Sequence, residues 1–192
     1  TFRDGDVLPP NGGAWIVKPD DGAGSIGISL EANSHAALQA MRADSQYPRV
    51  LQPWCEGEAL SLSLLCGDGQ AILVSINRQH VIVQNGRVLV GGLTVNALPR
   101  NSEEFVALGK LMAATFPELW GYVGVDLIRD DDGVLRVLEI NPRLTTSYCG
   151  LRQALGANVA GYVLQLFYER KLPTLNCSRN ESVELNLAMN NA

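Results

Sequence analysis

The sequence predicts an α+β fold with mostly antiparallel sheets. Three observations carry that expectation. Apolar runs with period-two alternation recur along the chain. Several are joined by tight-turn text: GDG at 67–69, Asn85-Gly86, and DDDG at 130–133. Helical segments are interleaved among these hairpins. The 192 residues are 46% hydrophobic and 18% charged, enough apolar content for one large domain or a domain with a small lobe.

The elements follow in order. The opening TFRDGDVLPPNGG is polar and rich in Pro and Gly. It reads as a linker over residues 1–13 that enters the domain from a preceding N-terminal region. WIVKP is a short strand, DDGAGSIG a glycine-rich loop, and ISL resumes a strand. Asn33 or Ser34 can cap a helix running to about Asp44, with Ala36, Ala37, Ala40 and Met41 inward. RVLQPW is a strand and ALSLSLLCG alternates. GDGQ turns it into AILVSINRQHVIV, and Asn85-Gly86 turns that into RVLVGGLTV. SEEFVALGKLMAATF is a helix, with Asn101 as cap and Glu104 three residues on. A further hairpin follows, then one long apolar-faced helix, LRQALGANVAGYVLQLFYERKL. SVELNLAM closes as a strand.

Composition excludes several classes. Net charge is −5 with no Lys/Arg cluster, so nucleic acid is not an expected partner. Cys55, Cys66, Cys149 and Cys177 are widely spaced and form no zinc pattern. They read as reduced thiols of a cytoplasmic protein, since a chain of this size needs no disulfide staples. No signal peptide or membrane-spanning apolar run is present.

The hairpin GYVGVDLIRDDDGVLRVLEINPR carries the chemistry. With Asp132 and Gly133 as a two-residue type I′ tip, Asp126 pairs with Glu139 and Gly124 with Asn141. Val123, Val125, Leu127, Leu138 and Ile140 then form a core face, and Asp126, Glu139 and Asn141 share the other. Like charges opposed on a hairpin are destabilising, so a cation is expected between them. Two carboxylates and an amide oxygen suit Mg²⁺, which leaves coordination for phosphate oxygens. The alternative is an ion pair with a nearby Arg or Lys, and a one-residue slip of register would separate the acids. Arg143, one alternation further, offers a planar fork to a phosphoryl or carboxylate group.

Other segments are less specific. GAGSIG, 22–27, fits GxGxxG but has strand-like text on both sides, so it reads as a glycine-rich hairpin over phosphates or an ordinary turn. Lys18, one of three lysines with Lys110 and Lys171, closes the strand before it as a candidate phosphate contact. LQPWCEGEALS, 51–61, offers backbone to an adenine edge and an acid to ribose, or is a solvated connection. Arg78, embedded in a strand, needs an anionic partner: Glu56, Glu58 or a phosphate. His80 reads as a satisfied strand residue. The hydroxyl-rich LTTSYCG, 144–150, is a candidate substrate loop.

Taken in order, IVKPDDGAGSIG, LQPWCEGEALSLSLL, NRQ and GYVGVDLIRDDDGVLRVLEINPRLTTSY resemble the ATP-grasp superfamily of carboxylate–amine ligases. The resemblance is nearest to its tyramine–glutamate ligase-like branch. It implies two α+β lobes gripping ATP, a small lobe at 14–54 and a large one at 55–192. It implies Lys18 on the ATP phosphates, Gly24 and Ser25 in the phosphate flap, and Gln52, Pro53 and Trp54 at a hinge beside adenine. Glu58 or Glu56 falls near the ribose. Asp126, Glu139 and Asn141 match the magnesium ligands, with Mn²⁺ as a substitute. Arg143 matches the arginine at the transferring phosphoryl group, and Arg78 falls near a γ-phosphate contact. The implied activity joins a small carboxylic acid to an amine through an acyl phosphate. Its rivals are a phosphotransferase of the same fold and a non-catalytic nucleotide-binding module. Relatives carry a front domain and a further lysine that these residues lack, so a C-terminal portion of a ligase is expected.

Overall fold

The computed structural model describes residues 1–9, 13–21, 26–43 and 47–187. Within them the chain forms β1 (Trp15–Pro19), β2 (Ser29–Glu31), α1 (Ser34–Ala43), β3 (Arg49–Pro53), β4 (Glu58–Gly67), β5 (Gln70–Gln84) and β6 (Arg87–Leu98). There follow α2 (Glu103–Thr115), β7 (Gly121–Arg129), β8 (Leu135–Asn141), α3 (Tyr148–Leu155), α4 (Val159–Glu169) and β9 (Val183–Asn186). The registered strand pairs are antiparallel, as the recurrent hairpin text predicts. The chain separates into two compact units, Thr1–Glu56 with Val81–Gly91, and Gly57–His80 with Gly92–Ala192. The sequence division at 54/55 carries no sign that the hairpin tip Val81–Gly91 groups with the first unit.

In the first unit β1 lies between β2 and β3, with Ile16 opposite Leu30 on one side and Gln52 on the other. Trp15, Val17 and Leu51 alternate onto the face covered by Ala37 and Met41 of α1, and together they form its core. Asn33 caps α1, its Oδ1 accepting the Ala36 N–H at 2.9 Å. Part of the segment read as a linker is tied down here. Phe2 exchanges two backbone hydrogen bonds with Leu51, both 2.8 Å, and its ring meets Trp15 edge-on. Asn85 and Gly86 both have positive φ, as a two-residue hairpin turn requires.

In the second unit β4 is central, pairing with β5 on one side and β7 on the other, with β8 outside β7. Beyond β5 lies β6, which also pairs with β9. Leu60, Leu62 and Leu64 stand opposite Leu127, Val125 and Val123 and bury one face with Phe105 of α2. On the other face Leu65, Val95 and Tyr122 pack with Leu151 and Leu155 of α3 and Val159 of α4.

Three sequence expectations are corrected. The α2 N-cap is Ser102, not Asn101. Its hydroxyl donates to the Pro99 carbonyl at 2.9 Å instead of capping, and Glu103 and Glu104 supply the favourable first-turn charge. The long helix is two. Gly156, at φ 62°, ends α3 with its N–H on Arg152 O, and a Cβ there would lie 2.1 Å from Ser178 Oγ. Asn158 then starts α4. Third, the DDDG tip is a type I turn, not type I′. The Gly133 N–H reaches Asp130 O at 2.8 Å, the Asp130 N–H reaches Val134 O at 3.0 Å, and Gly133 sits at φ 81°. Of the closing segment, 188–189 lie outside the described residues. Among those described, no helix is long and apolar enough to cross a membrane.

Candidate functional site

The three-residue loop 131–133, closed by Asp130 and Val134, alone would set Asp126 opposite Leu138. Instead Leu127 pairs with Val137 while Asp126 pairs with Glu139, so Leu138 is an extra residue, a β-bulge. The bulge restores the pairing that the sequence suggests and turns Leu138 out of the core. That side chain is 38% exposed, which corrects its expected place on the apolar face. Asp126 and Glu139 thus oppose each other, and Asn141 opposes Gly124, the next position on the same face.

A chain of hydrogen bonds runs through this group. Gln79 Nε2 donates to Asp126 Oδ1 at 2.8 Å, and Asn141 Nδ2 donates to Asp126 Oδ2 at 3.0 Å. Arg143 donates to Asn141 Oδ1 at 3.0 Å. Asn141 is buried, Asp126 and Glu139 are half-buried, and Arg143 is exposed. The sequence reading assigned Gln79 no role. Its signal was the alternation of β5, which places Gln79 on the face of Asn77, opposite Ser61 and so beside Asp126.

The same face continues inward as a buried polar network. Asn77, fully buried, donates to Ser61 and Ser63 and accepts from Ser75 Oγ at 2.9 Å. The Tyr122 hydroxyl donates to Ser63 Oγ at 2.9 Å and lies 3.1 Å from the hydroxyls of both Thr145 and Ser147. The hydroxyl-rich segment after Arg143 is therefore sewn onto the sheet. It lies so close that a Cβ on Gly124 would come 2.4 Å from Thr145 Cγ2. Tyr122 is legible only in retrospect, as the residue two alternations before Asp126.

Arg78 pairs with Glu58 at 2.7 Å, and Glu58 also lies 3.6 Å from Arg129. Arg129 in turn holds Glu104 and stacks its guanidinium 4.9 Å from the Phe105 ring centroid. Two residues expected at separate ends of a nucleotide thus hold one another, in a half-exposed pair of small net worth. Glu56, the alternative ribose acid, accepts from Trp54 Nε1. In the first unit, alternation puts Lys18 and Ile16 on the face of Gln52, away from α1. Gln52 Nε2 donates to Thr1 Oγ1 at 2.7 Å, Pro53 is exposed, and the Trp54 N–H reaches Ala14 O. Gly24 and Ser25 lie outside the described residues. His80 is engaged with Thr94 at 3.0 Å and Glu184 at 3.7 Å.

Among the described residues, no three His, Cys, Asp or Glu side chains gather as a metal cage. The donor set at the hairpin is two carboxylates and one amide. Asp126 and Glu139 fit a hard divalent cation that keeps other ligands, and their opposed charges favour one. Asn141 fits once its amide turns, because its nitrogen faces Asp126 and its oxygen faces Arg143.

An antiparallel α+β chain with acids, amide and arginine on one hairpin face defines the class, and the ATP-grasp domain family matches residues 7–147. The chain belongs to that family. It is 38% identical to the tyramine–L-glutamate ligase of Methanocaldococcus fervens over 103 residues, 54% of this chain and 33% of that protein. The matched region therefore spans about a third of the length of that curated relative. The L-amino acid ligase of Bacillus licheniformis shares the fold at TM-score 0.64 and 18% identity, over 83% of this chain and 40% of that one. So does the biotin carboxylase domain of Hydrogenobacter thermophilus 2-oxoglutarate carboxylase, solved with MgADP, ADP and bicarbonate. Its TM-score is 0.64 and its identity 16%, over 86% of this chain and 38% of that one.

Proposed function

We propose that this chain supplies the nucleotide-grasping part of an ATP- and Mg²⁺-dependent carboxylate–amine ligase. The observation that carries the reading is the in-register opposition of Asp126 and Glu139, with Asn141 and Arg143 following on their face. The names of the relatives support it. The M. fervens and B. licheniformis proteins are both called ligases of amino acids, and the H. thermophilus domain was solved with MgADP.

In this reading a substrate carboxylate oxygen attacks the γ-phosphorus of ATP, and ADP leaves. The resulting acyl phosphate is attacked at its acyl carbon by an amine, which loses a proton as phosphate departs. Asp126 and Glu139, joined by Asn141, would hold Mg²⁺, which offsets phosphate charge. Gln79 holds one Asp126 oxygen at 2.8 Å and so fixes the carboxylate's plane. Arg143 keeps guanidinium donors beyond the one given to Asn141, and these can meet charge developing on the transferred group. Lys18 and Gln52 share one face of the first unit, suited to phosphate and base. Catalysis of this kind is positioning and charge neutralisation, and it needs no side-chain nucleophile.

The test is ATP turnover with candidate acids and amines in Asp126→Asn and Glu139→Gln variants. Each is expected to lose Mg²⁺-dependent ADP release by about 10²-fold or more, the scale of removing one charge-stabilising group. Retained turnover in both would sink the metal assignment. A phosphorylated acceptor, in place of an amide plus free phosphate, would redirect the reading to a phosphotransferase.

A further inference from the structure

The helix α3 presents a second constellation, unrelated to the hairpin. Gly150, Leu151, Ala154 and Leu155 face the core, so Cys149, Arg152, Gln153 and Gly156 form the outer face. The segment after α4 returns along this face. The Arg179 N–H donates to Leu155 O at 3.1 Å, the Glu181 N–H to Ala154 O at 2.9 Å, and Ser178 Oγ to Gly156 O at 3.2 Å. These bonds satisfy carbonyls at the C-terminal end of the helix and pin the returning backbone. Only glycine fits at 156, given the 2.1 Å approach of Ser178. Between helix and segment lies an open cavity of about 470 Å³, lined by Cys149, Arg152, Gln153, Gly156, Ser178 and Arg179.

Its charge is out of keeping with the chain. The protein carries a net −5, yet the lining holds two arginines and no acid. Among the described residues, the ion pairs engage Arg3, Arg42, Arg78, Arg129 and Arg136, and include neither Arg152 nor Arg179. Two guanidiniums line one cavity with no acid in its lining, and each can offer a planar fork matched to two oxygens of one anion. A side-chain amide and a hydroxyl beside them add neutral hydrogen-bonding groups.

We propose that this cavity is a binding site for a small oxyanion, a carboxylate or a phosphate, gripped by Arg152 and Arg179. The site shares no residue with the Asp126 group and holds whether or not the chain turns over ATP. Its backbone frame is preformed, so binding orders only the two side chains.

Isothermal titration calorimetry on the whole chain, at low ionic strength and without Mg²⁺, tests it. The probes are succinate, inorganic phosphate and, as a cationic control, putrescine. The expected result is saturable binding of at least one oxyanion and none of putrescine. The preferred probe tells carboxylate from phosphate. Arg152→Gln with Arg179→Gln should weaken that binding by about tenfold or more, at unchanged melting temperature because both side chains are exposed. Arg152→Lys with Arg179→Lys, which keeps the charge and loses the fork, should fall between the two. Asp126→Asn should leave binding intact. Absence of oxyanion binding, survival of full affinity in the Gln pair, or its loss in Asp126→Asn would each overturn the proposal.

Discussion

Arg143 lies 3.0 Å from the side-chain oxygen of Asn141, so the guanidinium holds the amide oxygen that the proposed cation at Asp126 would need. Removing the arginine should therefore act in two directions. Arg143→Ala is expected to lower the Mg²⁺ concentration needed for half-maximal nucleotide binding by about 2- to 10-fold, the equivalent of one hydrogen bond released. The same variant should slow turnover by about 10²-fold or more. Arg143→Lys should retain ATP affinity and lose turnover on that same scale, because a point charge cannot reproduce the fork. Calorimetric ATP titrations at graded Mg²⁺, set beside the rate of ADP release, separate the two effects. Parallel loss of melting temperature and activity would return Arg143 to a structural role.

Tyr122→Phe removes the hydroxyl that joins β7 to Ser63, Thr145 and Ser147. The three remaining hydroxyls still contact one another, Ser63 to Ser147 at 3.2 Å and Thr145 to Ser147 at 3.1 Å. The expected cost is about 1–2 kcal/mol by urea unfolding, one buried hydrogen-bonding group. Amide exchange should quicken in 144–147 before it does in β4.

Gly124 owes its identity to Thr145, whose Cγ2 would sit 2.4 Å from an added Cβ. Gly124→Ala should destabilise by about 1–3 kcal/mol through overpacking. Thr145→Ser deletes that methyl and leaves the hydroxyl, 3.1 Å from the same Cβ position. The double variant should recover most of the loss. A simple sum of the two single effects in a double-mutant cycle would show that the clash is elsewhere.

Burial pushes the Cys66 thiol up to about 11 from its ordinary 9.0. The folded chain keeps a proton that the unfolded chain gives up near pH 9, so this group's contribution to stability falls as pH rises from about 9 toward 11. Unfolding curves of wild type and Cys66→Ala should converge across that window. Thiol labelling offers a second check. Cys149 is exposed and should react first, while Cys66 should react only on unfolding.

Much of this molecule was legible in period-two alternation. WIVKP, the β4 run and both arms of the acidic hairpin appear where their patterns put them. Alternation also put Glu139 and Asn141 on one face, while the place of Asp126 beside them depends on the bulge at Leu138, which the pattern does not mark. Legibility failed where neighbouring residues offer the same signal. Asn101 and Ser102 are both capping types, and only the local backbone selects one. DDDG suits either of two turn types, since both place Gly at positive φ. The break between α3 and α4 was written in Gly156 and Asn158, but the apolar stripe on each side masked it. Gln79 and Tyr122 escaped notice because their partners come from strands far away in sequence, and one strand's pattern does not name its neighbour.

The bulge at Leu138 has a bearing on how this hairpin tolerates change in length. Leu138 is the residue that the ladder does not use, since Val137 already faces Leu127 and Glu139 already faces Asp126. Deleting Leu138 would leave a regular ribbon with the two acids still opposed. Deleting one residue of the tip would shorten the loop and leave the pairs outward of Asp130 and Val134 as they are. An added residue between Val134 and Glu139 would instead shift Glu139 by one position and so to the other face. The arm should therefore accept the loss of a residue and reject the gain of one.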